Sequence, residues 1–113
     1  MTDPRYAKLA SNLINHSIHL EKGEKVLIEA FDLPEAMVIA LVRAARKADG
    51  VPLVSLKNNR VLRELYREAS EEQMKLCGEV ELARMKQMDA YIAMRGSNNI
   101  AEMSDVPSES MQL

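Results

Sequence analysis

The side chains able to do chemistry in this chain are few and dispersed. His16 and His19 stand three residues apart, a spacing that lets two imidazoles on one helical turn reach a shared metal ion. They fall on the polar side of an amphipathic segment with no third donor nearby in sequence, so they read as a solvated face. Cys77 is the only thiol. Its place on the apolar side of a helical segment predicts a buried, unreactive cysteine rather than a nucleophile. No His-Glu-x-x-His run, cysteine pair or Gly-x-Ser-x-Gly elbow occurs. The residues themselves therefore assign no catalytic side chain and no metal ligand.

Weaker candidates come from position. In an open α/β sheet, ligands bind beyond the carboxyl ends of the strands. Asp32, Asn98 and Asn99 follow such ends and could line a cleft, although each residue type also caps helices and forms turns. The first strand-to-helix loop, Ala30-Phe-Asp-Leu-Pro34, contains no glycine. A nucleotide-binding loop of the Gly-rich kind is excluded there, because phosphate could not approach the backbone N–H groups. Lys57, Arg60, Arg63 and Arg67 form a basic stripe, but Glu64 and Glu68 interrupt it and aromatics are not interleaved. It reads as a solvated helix face, with no nucleic-acid partner.

These residues have to be placed by elements that the sequence pattern defines. Asp3-Pro4 is a helix start, and Tyr6, Leu9, Ala10, Leu13, Ile14 and Ser17 follow as one helical face. Gly23 closes the turn after it. Three short apolar runs, residues 25–30, 51–56 and 90–95, read as strands. The unbroken Val26-Leu-Ile28 predicts a central parallel strand buried on both faces. Pro52 restricts the second strand, since proline cannot donate in the middle of a ladder. Asp32 and Glu35 have capping-box spacing before a helix over 35–48 that is apolar nearly all round. Asn58 or Asn59 caps a short helix with Val61, Leu62, Leu65 and Tyr66 inward. Ser70-Glu-Glu-Gln73 opens another helix, running to about Met88, with Leu76, Cys77, Val80, Ala83 and Met88 inward. Met74, Met85, Met88 and Met94 read as core filler. The fold class is α/β: a three-layer wound parallel sheet with a βαβααβ core, strand order 2-1-3, right-handed crossovers and an N-terminal helix.

Bulk properties narrow the classes. At 113 residues the chain suffices for one domain, 1–113, with a single core. A net charge of −2 supplies no general attraction to nucleic acid or anionic lipid. No apolar run approaches the ~20 residues that span a bilayer, so no membrane partner is expected. One cysteine excludes an internal disulfide and suits a reducing cytoplasm. The polar segment 97–113 reads as a loop or the start of a truncated helix, as though the domain led onward into more protein.

Four blocks carry a family resemblance: Asp3-Pro-Arg-Tyr-Ala-Lys-Leu-Ala10, Gly23-Glu-Lys-Val-Leu-Ile-Glu-Ala30, Val61-Leu-Arg-Glu-Leu65 and Glu81-Leu-Ala-Arg-Met-Lys-Gln-Met-Asp-Ala-Tyr-Ile-Ala-Met-Arg-Gly96. With Asn99-Ile-Ala-Glu-Met-Ser-Asp-Val106 they cover nearly the whole chain in order. The chain resembles the N-terminal domain of the thermophilic-type metallo-aminopeptidases, the aminopeptidase T and aminopeptidase S group. The resemblance implies a cytoplasmic hydrolase that removes N-terminal residues from peptides. It also implies two divalent metal ions in the parent protein, held outside this stretch by a C-terminal catalytic domain, and a homodimer that encloses its active sites. On that reading the 113-residue chain is a non-catalytic N-terminal fragment, inactive by itself and partnered by its own C-terminal domain. Two alternatives remain. One is a stand-alone α/β ligand-binding or protein-interaction module using the strand ends near Asp32 and Asn98. The other, weaker, is a nucleic-acid-associated domain using 60–67.

Overall fold

A computed structural model describes residues 3–96 and the backbone of 102–104. Asp3 caps the first helix by accepting the Arg5 N–H at 2.9 Å, and Pro4 occupies its first turn. This helix, α1 (Pro4–Asn12), passes into a π-helical turn over Leu13–Ser17, where the Ile18 N–H reaches back to the Leu13 carbonyl. The chain then alternates through β1 (Lys25–Phe31), α2 (Glu35–Lys47) and β2 (Val51–Lys57). Two successive helices follow, α3 (Asn59–Tyr66) and α4 (Glu71–Met85), and then β3 (Ala90–Arg95) and β4 (Glu102–Ser104). The expected caps of α3 and α4 form: Asn58 Oδ1 accepts from Val61 N–H and Ser70 Oγ from Gln73 N–H, both at 3.0 Å.

The sheet has the order β2-β1-β3-β4. β1 runs parallel to both neighbours, as the sequence predicts for a strand apolar on both sides, and Val26, Leu27 and Ile28 are fully enclosed. β4 is an addition. It pairs antiparallel with β3, Met103 opposite Met94, within the stretch expected as a loop or truncated helix. The signal was weak because three residues of a short edge strand show no periodicity.

The core lies on one side of the sheet. Val26, Ile28, Ile92 and Met94 pack there against Ala10, Leu13 and Ile14 of the N-terminal helix and Met37, Ala40, Leu41 and Ala45 of α2. The α3–α4 crossover lies on the opposite side, where Leu62, Cys77 and Met88 are half-buried as expected and the other residues expected inward are not. Neither helix contains a buried residue. Val61 is 63% exposed, and Leu65, Tyr66, Leu76 and Val80 are exposed as well, as is Ala83. The inner face of α4 is Gln73, Cys77, Glu81, Arg84 and Met85, all half-buried, with Met88 half-buried just beyond its end. Met74 is exposed and only Met94 of the four methionines is fully in the core. Periodicity locates an apolar stripe but not which stripe meets the sheet, and here two charged residues of α4 settle that orientation.

Candidate functional site

Side chains alternate along β1, so Val26 and Ile28 face α2 while Leu27, Glu29 and Phe31 face α4. Glu29 is therefore a carboxylate placed by a hydrophobic strand in the centre of the sheet, and it is 5% exposed. Such a group must be paired. Lys57, at the end of β2, brings its Nζ to 2.8 Å from Glu29 Oε2. Tyr91, opposite Leu27 on β3, donates its hydroxyl to Glu29 Oε1. From α4, Arg84 Nη2 donates to Glu29 Oε2 at 3.3 Å and to Glu81 Oε1 at 2.6 Å. Glu81 also lies 3.8 Å from Lys57. Beside this cluster the Arg95 guanidinium sits 4.4 Å from the Phe31 ring centre, with Lys57 on the same ring at 5.7 Å.

Two carboxylates meet two cations here, so the cluster is balanced. Burial pushes the Glu29 carboxyl up, but hydrogen bonds from Lys57 and Tyr91 and the charges of Lys57 and Arg84 outweigh it and hold the group below the ordinary glutamate range. Burial, then the Glu29 contact, raises the Tyr91 hydroxyl well above an ordinary phenol. Both shifts favour the states already present at neutral pH: an ionised Glu29 and a protonated Tyr91. Neither group is poised to exchange a proton near neutrality, which describes a structural tie rather than an acid–base pair. Its mechanical effect is to fasten α4 to the sheet. The Arg84 Nε is enclosed without a hydrogen-bond partner among the described residues, while its Nη2 serves two carboxylates.

The sequence pattern does not reveal this cluster and puts Lys57 on a solvated stripe. Lys57 is half-buried and turned inward, while Arg60, Arg63 and Arg67 are exposed as expected. The available signal was Glu29 itself, a lone charge within the apolar run Val26-Leu-Ile-Glu-Ala-Phe31. A carboxylate on a strand enclosed on both faces requires cations from its neighbours, but nothing in sequence says which.

Asp32 is structural as well. It adopts φ 55°, a left-handed conformation that Asp tolerates better than most residues. Its N–H donates to the Lys57 carbonyl at 3.0 Å and its Oδ2 accepts the Asn59 N–H at 3.1 Å. It therefore clamps the ends of β1 and β2 to the start of α3 instead of capping α2, whose N-cap is Pro34. Gly96 belongs to the same junction: a Cβ there would lie 2.1 Å from the Asp32 carbonyl oxygen. Asn98 and Asn99 lie outside the described residues. A shallow hollow of 410 Å³ at these strand ends is lined by Ala30, Asp32, Val54, Leu56 and Lys57 among others, but both Asp32 and Lys57 are already engaged. A larger groove of 660 Å³ between α1 and α2 is lined by alanines and polar residues in equal number, with Glu35, Arg43 and Lys47 its charges.

The wound sheet and its N-terminal helix define an α/β domain. A family model described as thermophilic metalloprotease (M29) matches residues 2–113. The chain belongs to that family, whose chemistry is metal-dependent peptide hydrolysis. No curated protein sequence matches it significantly. A catalytic metal needs about three converging protein donors. Among the described residues no group of three or more His, Cys, Asp or Glu is so placed. The two carboxylates that do converge, Glu29 and Glu81, hold Arg84 and Lys57 between them, so the described residues do not fit a metal centre. Among the described residues, no helix is long and apolar enough to cross a membrane.

Proposed function

We propose that this chain is the N-terminal, non-catalytic domain of a cytoplasmic metallo-aminopeptidase, with two divalent ions carried by a C-terminal catalytic domain. The observation that carries this reading is the state of the Glu29 cluster. In a chain matched by a metalloprotease family over residues 2–113, the dense group of ionisable side chains found among the described residues is charge-balanced and consumed in fastening α4. The apolar residues left uncovered on α3 and α4 support the same reading, because they suit a large apolar partner such as the catalytic domain. The domain's task is then to shape and restrict the approach of peptides to metals held elsewhere.

Two measurements test this. Equilibrium dialysis of the 113-residue chain against Zn²⁺ or Co²⁺ is expected to show no stoichiometric binding, and hydrolysis of an aminoacyl chromogenic substrate is expected to match the buffer rate. Metal-dependent hydrolysis by the chain alone, abolished by chelator and restored by metal, would show that it carries its own active site.

A further inference from the structure

The groove between the first helix and α2 has two unlike halves, and the helix directions set them. Each helix leads by a short turn into one of the parallel strands β1 and β2. The two turns meet, Gly23 N–H donating to the Asp49 carbonyl at 2.8 Å, so the helices run in the same direction. Residues one turn apart share a row on a helix. A row of alanines on α2, from Ala36 to Ala48, forms the floor, with Ala40 fully inside. The adjoining row of α2 is exposed and makes one rim, passing from Glu35 and Ile39 to Arg43 and Lys47. The facing rim passes from Ala7 to Ser11 and Asn15. The end of the groove near the helix starts is therefore mostly apolar, and the other end gathers two cations, a hydroxyl and an amide. Asn15 Nδ2 donates to Ser11 Oγ at 3.1 Å, which leaves the serine hydroxyl hydrogen free to donate onward.

Neither Arg43 nor Lys47 enters an ion pair among the described residues. Like charges one turn apart repel, so the pair is helped by an anion set between them. The helix dipole accounts for Lys47 in the last turn of α2, but its effect fades before Arg43, a turn earlier. We propose that the groove binds an acyl chain ending in a single carboxylate. The head sits between Arg43 and Lys47, within reach of Ser11, and the chain lies over the alanine floor toward Ile39. Glu35, at the far end, leaves the groove with only one end that attracts an anion. The 660 Å³ volume falls in the range of small-ligand sites, roughly 300–1,000 Å³. The chain as a whole carries −2, so the attraction is local to these two cations. The carboxyl end of an apolar peptide shares this chemistry, but its backbone N–H and C=O groups would face alanine methyls that offer no partner. A hydrocarbon chain has no such groups to satisfy. The site lies apart from the Glu29 cluster and does not rest on the peptidase reading.

Isothermal titration of the 113-residue chain with decanoate is expected to show one site per chain. Hexanoate should bind more weakly by about tenfold or more, since each methylene buried is worth roughly two- to fourfold in affinity. Decyltrimethylammonium, with the same chain and a cationic head, should not compete. Arg43→Gln combined with Lys47→Gln, both at exposed positions, should weaken decanoate by about tenfold or more and leave the circular dichroism spectrum unchanged. Arg43→Lys, which keeps the charge, should retain binding. No heat at millimolar decanoate overturns the proposal, as does an affinity indifferent to chain length, equal binding of the ammonium amphiphile, or binding untouched by the double substitution. N-acetyl-trileucine binding more tightly than decanoate would overturn the acyl assignment and put a peptide carboxyl end in its place. None of these measurements involves metal or hydrolysis, so their failure is separate from failure of the aminopeptidase reading.

Discussion

The helices on the two sides of the sheet differ in how their apolar residues are arranged, and they are held by different forces. α2 places Met37, Val38, Ala40, Leu41 and Ala45 in the interior, against β1 and the N-terminal helix. α4 is two residues longer, carries Leu76, Val80 and Leu82, and buries none of them. Its attachment is the Arg84–Glu29 and Glu81–Lys57 tie, together with the half-buried Cys77 and Met88. A helix whose apolar residues lie on one side is oriented by them, whereas one whose apolar residues are spread around it takes its orientation from elsewhere. On the α2 side burial of aliphatic surface fixes the orientation. On the α4 side the need to pair a buried carboxylate fixes it, and these aliphatic residues are turned outward as a result.

Substitutions can break this contrast in order of size. Ile28→Ala empties a fully enclosed site in the middle strand on the α2 side and is expected to cost ~2–5 kcal/mol in chemical denaturation. A loss below half a kcal/mol would show that the core is not where it is placed here. On the other side, Lys57→Ala removes the nearest cation from Glu29. Arg84 and Tyr91 remain, so the expected loss is roughly 2–3 kcal/mol, under the range for a fully enclosed pair left without any partner.

Acid should act through the same group. The Glu29 carboxyl is held below its ordinary value, so its contribution is complete above the unfolded-state pKa and is lost as pH falls through the folded-state one. Unfolding free energy of the parent chain should drop as pH is lowered below about 4, and Glu29→Gln should flatten that part of the profile. Parallel profiles in the two proteins would remove Glu29 from the account. The smallest effect belongs to the uncovered stripe. Leu76→Glu should change stability by less than about 0.5 kcal/mol, because the leucine is 59% exposed. A loss of several kcal/mol there would mean that α4 packs by its aliphatic face after all, and the contrast would disappear.

Much of this architecture is legible in the residues. Three apolar runs separated by helical periods require crossovers, and Val26-Leu-Ile28, apolar without alternation, can only be the strand covered on both faces. Order β2-β1-β3 follows, as do the caps at Asp3, Asn58 and Ser70, because these depend on contacts within a few residues. The candidate cleft was less legible. Asp32 has the right spacing to cap α2 but uses its carboxylate on Asn59, a choice made by the close approach of the β1 and β2 ends.

The sequence by itself determined the helices and the three parallel strands, since periodicity and short-range capping are local and need no knowledge of the partner. Tertiary structure alone decided which face of α4 meets the sheet, which cations serve Glu29, and how the ends of β1 and β2 are clamped together. Each of those depends on residues 25 to 55 positions apart in the chain brought within a few ångströms, and no local pattern encodes such a meeting.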